Sequence, residues 1–299
     1  MSIDIETIKE LFKFLEEKLV NENSEARRKI YLLHQPLALS ISKKLSSAVA
    51  EAQQAILSTG KKLPSNYRSA NLAKERDELL NNINEAIQKI STYEALVLCV
   101  MNCFKQGLKG CQEHATLVSL ALMSLYGVNK GPKAENVMLE IPGTRLNHEF
   151  VVLARAEGSA LDEVATWGNG LVLDSYGHWF AGVDNLPLGT GIANLLHDKT
   201  KSGLTVKVFH DNKMKLNLLN RYKDDPNHPY HTIEKTSLTI LTNNITSFVE
   251  NAMTTLALPT LRELPSPLPC TDSFFSVASA PTTPNQCIPK ERSENGLGI

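Results

Sequence analysis

The 299-residue sequence lacks a long hydrophobic run. Its longest central apolar stretch, Ala95 to Val100, is far shorter than the roughly 18 residues a membrane-spanning helix requires, so no transmembrane segment is expected. It also lacks an excess of either charge: 31 Lys and Arg stand against 32 Asp and Glu, a net charge of −1. Coating nucleic acid needs a basic surface, so nucleic acid is not an expected partner. The N-terminus, MSIDIETIKELFKFLEEKLV, is acidic and amphipathic. It has no basic region followed by an apolar one, so no secretory signal peptide is expected. The chain is then made in the cytoplasm with reduced thiols, and export into a host cell by a signal-peptide-independent route stays open.

Two chemical signatures are missing as well. No glycine-rich phosphate loop ends in Lys-Ser/Thr, because Gly60-Lys61-Lys62 has no upstream glycine. No paired C-x-x-C frame exists: Cys99, Cys103, Cys111 and His114 are spaced by 4, 8 and 3 residues. Neither a metal nor another cofactor is expected. His228 and His231, beside Asp224 and Asp225, read as a polar loop. No internal repeat is present.

What the sequence does hold is an ordinary globular balance, 42% hydrophobic and 21% charged, with ample length for a core. Five cysteines are present, an odd number, so at least one is unpaired within the chain. Residues 1–106 read as a helical region. Ile5, Ile8, Leu11, Phe12, Leu15 and Leu19 recur at helical spacing. Long helical patterns follow to about Ser58 and from about Ala70 to Cys103, with a break at Thr59–Pro64 and a suspected interruption at Ser91-Thr92. Two long helices joined by a loop predict an αα-hairpin, either a packed layer or a binding arm.

From 107 to 256 the texture is that of an α+β unit. Cys111 to Tyr126 is a helix that Gly127 ends. Strand-like runs follow at Asn136–Ile141, Glu149–Leu153, Val164–Trp167, Leu171–Asp174 and Leu204–Phe209, then a helix from about Asn243 to Leu256. One helix followed by several strands favours an α+β fold over alternating βαβ units. Residues 257–299 hold seven of the 14 prolines and read as a Pro/Ser/Thr-rich flexible tail.

Three segments carry the chemistry. Cys111 follows the glycine-rich turn Gly107-Leu108-Lys109-Gly110 and opens a helix. Its sulfur there faces the unsatisfied N–H groups and the positive end of the helix dipole, which favours the nucleophilic thiolate. Gly107 and Gly110 are expected to let the backbone approach a substrate. His148 begins an apolar strand, where it is placed to take the thiol proton. Asp174 ends the next strong strand, where it is placed to orient the imidazole. Each residue alone is more often structural; their order, each at the end of an element, is what points to catalysis. Cys99 and Cys103 lie one turn apart in an apolar helix and read as core.

The run from Gly110 to Trp179 resembles the core of the transglutaminase-like proteins within the papain-like thiol-enzyme superfamily. Cys111 with Ala115, Leu122 and Gly127, then His148-Glu149-Phe150-Val151, then Leu171-Val172-Leu173-Asp174, fall on that pattern. The resemblance implies a papain-like core, a helix packed on an antiparallel sheet, with nucleophile Cys111, base His148 and orienting Asp174. It implies acyl transfer or hydrolysis at a carboxamide or peptide bond of a protein substrate: glutamine deamidation, transglutamination or proteolysis. Gln112 stands where an aromatic residue often follows the family's cysteine. Gln106 is an oxyanion candidate by the same parallel, or a helix-end surface residue. Trp179 either shields the His–Asp pair from water or is a core residue. The helical N-terminus is loosely similar to bacterial effector deamidases and proteases. The competing reading is a non-catalytic helical adaptor on a degenerate scaffold of this type.

Overall fold

The computed structural model describes residues 3–58, 70–127, 131–140, 147–161, 163–183, 205–211 and 229–263. The proline-rich tail from 264 onward, with Cys270 and Cys287, lies outside the described residues, as do Asp224, Asp225 and His228.

Five helices come first: α1 (Ile5–Lys18), α2 (Ser24–Tyr31), α3 (His34–Ser58), α4 (Ala70–Lys105) and α5 (Cys111–Tyr126). Asp4 caps α1 by accepting from the Glu6 N–H at 3.2 Å. The expected apolar stripe of α1 is buried at Ile8, Leu11, Phe12 and Leu15. α4 runs unbroken through Ser91 and Thr92, against the expected interruption. Ser91 sits in the core, and its hydroxyl donates to the Ile87 carbonyl one turn back at 2.6 Å. That bond satisfies the polar group inside the helix and leaves the ladder intact.

The strands are β1 (Ala134–Glu140), β2 (Asn147–Leu153), β3 (Leu171–Asp174), β4 (Trp179–Gly182) and β5 (Thr205–Asp211), in the order β4-β3-β2-β1-β5. All pairings are antiparallel. β1 to β4 form a meander, and β5 returns to the outer edge of β1. The fold class is therefore α+β, as the order of elements suggests. The run Val164–Trp167 is not a strand: Val164–Thr166 is a 3-10 turn that carries Trp167 onto the sheet. β4 was not anticipated. The last helix, α6 (Pro229–Leu256), starts well before Asn243, opening on a proline as first turns allow. His231 therefore lies on a helix rather than in a loop.

The pleat divides the sheet's side chains between two cores. Ala134, Val151, Leu153 and Leu173 join the larger cluster, which draws on α1, α3, α4, α5 and α6. Val137, Phe150, Val152, Val172 and Trp179 form the second, closed by Trp167. α5 packs against β1, β2 and β3 and is buried along nearly its whole length. Among the described residues no helix is long and apolar enough to cross a membrane.

Candidate active site

α5 begins at Cys111, with Gly110 as its N-cap and no side chain capping its first turn. The N–H groups of that turn therefore remain available to a ligand. His148 is the second residue of β2, and Asp174 the last of β3. β2 and β3 pair through Val151–Leu173, and each strand extends past that pair toward the same end of the sheet. His148 and Asp174 share the pleat face of Phe150, Val152 and Val172, so they meet across the strand ends.

The meeting is direct. His148 Nε2 lies 2.9 Å from Asp174 Oδ2, and Asp174 Oδ1 accepts the Gly177 N–H at 2.9 Å. Asp174 is fully buried and His148 nearly so. With Nε2 committed to the carboxylate, Nδ1 is the ring nitrogen left for the thiol, and Cys111 is among the groups whose interaction favours the charged imidazole. Burial pulls the His148 imidazolium down. The Asp174 carboxylate, by charge and hydrogen bond, together with Cys111, outweighs this and holds the pKa up at about 10. At neutral pH the ring is thus held as the imidazolium beside Cys111.

Trp179 is the cross-strand partner of Asp174 and is buried. A Cβ at Gly177 would come within 2.6 Å of Asp174 Oδ2 and 2.9 Å of the Trp179 indole nitrogen. Only glycine lets the β3–β4 turn close over the carboxylate in this way. Trp179 and the turn therefore cover Asp174 from water, and Trp179 is at the same time a core residue. Gln106 is exposed in the turn after α4, where its N–H donates to the Cys103 carbonyl at 3.1 Å.

Several neighbours were not foreseen. Glu113 is fully buried one turn into α5. Arg27 of α2 donates to it from Nε at 2.9 Å and pairs through Nη2 at 2.8 Å, and the Tyr31 hydroxyl adds a third bond at 3.0 Å. Burial opposes the Arg27 charge, but Glu113 more than restores it. The guanidinium and the Glu113 carboxylate lie against Gly110, where any Cβ would overlap both. The close approach expected at Gly110 is therefore taken by Arg27, not left for substrate. Segment 19–21 is bound alongside: Val20 and Asn21 N–H groups donate to the Gly107 carbonyl, and the Lys109 N–H to the Asn21 carbonyl at 2.7 Å.

Beneath the site lies His114, fully buried, with Nδ1 2.9 Å from the Ser175 hydroxyl and no partner for Nε2. Burial, then the charges of Lys109, His178 and His148, lower its pKa to about 3, so it is neutral. Tyr176 stands between the two histidines, 5.5 Å from the His114 ring and 5.8 Å from that of His148. The polar pair Glu113-His114 inside an Ala/Leu-rich helix was the one available signal of this buried chemistry.

Cys99 and Cys103 are buried against Ile30 and Leu108. Burial pushes their thiols up, to about 11 and about 12, which makes them inert. Among the described residues no three His, Cys, Asp or Glu side chains converge as a metal site. Compared with known proteins, the chain matches no family model, no curated protein and no solved structure.

Proposed function

We propose that the chain is a cysteine-dependent enzyme that attacks a carboxamide or peptide carbonyl of a protein substrate, on a papain-like, transglutaminase-like core. The observation that carries this reading is one imidazole held between a buried carboxylate and the sulfur at an uncapped helix N-terminus. In this mechanism the Cys111 proton resides on His148, and the sulfur bonds to the carbonyl carbon as the thiolate. The first N–H groups of α5 receive the developing oxyanion. His148 then returns the proton to the departing ammonia or amine, leaving a thioester on Cys111. Water, deprotonated by His148, or a lysine amine resolves it and regenerates the thiol. Asp174 holds the imidazole in one orientation throughout.

Intact-mass analysis of substrate proteins incubated with wild type and with Cys111→Ala tests the reading. A gain of about one dalton marks replacement of NH2 by OH, fragments mark hydrolysis, and a joined species marks attack by an amine. Full retention of these mass changes by Cys111→Ala would overturn the reading, and partner binding by wild type and Cys111→Ala alike with no mass change in either would favour the adaptor instead.

A further inference from the structure

The basic side chains around the candidate site are not equivalent. Arg27 is paired with Glu113, His148 with Asp174, and His178 with Glu16 at 3.6 Å. Lys109 is the exception: among the described residues no carboxylate pairs with it. Its backbone is fixed by the bond to Asn21, two residues before the nucleophile. Its ammonium lies over the Tyr176 ring, 5.2 Å from the centroid, and that ring faces His148. A cation held on an aromatic face keeps most of its hydrogen-bonding capacity for an incoming anion. His114, the neutral imidazole under the same tyrosine, adds no charge but leaves one buried nitrogen unpartnered.

We propose that Lys109 and Tyr176 form a carboxylate subsite beside the reacting carbonyl, so that the preferred substrate is an acidic peptide segment with Asp or Glu next to the attacked residue. The proposal rests on Cys111 being the nucleophile. In the substrate complex the carboxylate accepts from Lys109 Nζ, and Tyr176 provides the apolar wall against which the acidic side chain lies.

Two alkylating probes of nearly equal size separate the two ideas: iodoacetamide, which is neutral, and iodoacetate, which carries a carboxylate. In each case the sulfur displaces iodide. The readout is the ratio of iodoacetate to iodoacetamide rates at Cys111, by peptide mass analysis, normalised to the ratio for N-acetylcysteine. Because it is a ratio, general changes in thiol reactivity cancel. It is expected to be raised in wild type, to drop about threefold or more in Lys109→Met, and to be largely kept in Lys109→Arg. One molar salt should compress the difference between wild type and Lys109→Met. If Lys109→Met leaves the ratio unchanged, the subsite is wrong while the nucleophile stands. If iodoacetamide labels Cys111 of wild type no faster than Cys99 or Cys103, the nucleophile reading falls and the subsite with it.

Discussion

Replacing Arg27 with Met is expected to be among the most damaging single changes outside Cys111, His148 and Asp174. Glu113 is fully buried; its Oε1 accepts from Arg27 Nε and from the Tyr31 hydroxyl, and its Oε2 is ion-paired with Arg27 Nη2. Met keeps the aliphatic bulk over Gly110 but leaves the carboxylate with the tyrosine alone. Breaking a buried pair by removing one partner costs about 3–5 kcal/mol, because the remaining charge is uncompensated. The Arg27→Met, Glu113→Leu double variant removes both charges. Its expected loss is about 1–2 kcal/mol, set by the stranded Tyr31 hydroxyl. Urea unfolding of wild type, both single variants and the double variant gives the coupling between the two sites, provided the denaturant slopes agree. A loss below about 1 kcal/mol for Arg27→Met, or a double variant as damaged as the sum of the singles, would refute the buried-pair argument. Iodoacetamide labelling of Cys111 should also slow in Arg27→Met under conditions where the protein is folded, since the pair fixes the first turn of α5.

Asp174→Asn should slow iodoacetamide labelling of Cys111 by roughly tenfold or more, because the imidazole loses its anionic partner and its fixed orientation; labelling at the wild-type rate would remove Asp174 from the site. The His148–Asp174 pair raises the folded pKa of His148 above its ordinary 6.5 to about 10. Its stabilisation is therefore complete below about pH 6.5 and lost as pH rises through about 10. The stability gap between wild type and Asp174→Ala, followed by denaturant midpoints, should shrink across that window; a gap that widens would contradict the assignment. His114 acts in the opposite sense: its folded pKa of about 3 means that stability falls as pH drops below 6.5. His114→Gln should flatten the acid limb of the stability profile, and an unchanged limb would mean that another group controls it.

How much of this was legible in the sequence depends on the range of the interaction. The Cys, His, Asp order reads directly because each residue terminates an element whose periodicity is strong. α1 reads correctly for the same reason. Val164–Trp167 misleads, because a β-branched and aromatic tetrapeptide resembles a strand while its task is to deliver Trp167 to the outer sheet face. β4 is hidden because Trp179 to Gly182 is short and follows a turn. α6 is obscured by its threonines, whose weak helix propensity is overridden by packing of Tyr230, Ile233, Leu241 and Ile245 into the core. Arg27 and Tyr31 carried no local signal: their role exists only once α2 meets α5, far along the chain.

The short pairing of Asn21 with Leu108, fixed by hydrogen bonds on both sides, links the fate of two distant segments. Opening of that joint releases the turn that aims α5 without disturbing any bond of the Cys111, His148 and Asp174 group. Local unfolding at the N-terminal end can therefore displace Cys111 at a cost well below the free energy of global unfolding. Hydrogen exchange at the Lys109 amide measures that opening, and Cys111 reactivity becomes a gauge of how firmly the first twenty residues are seated.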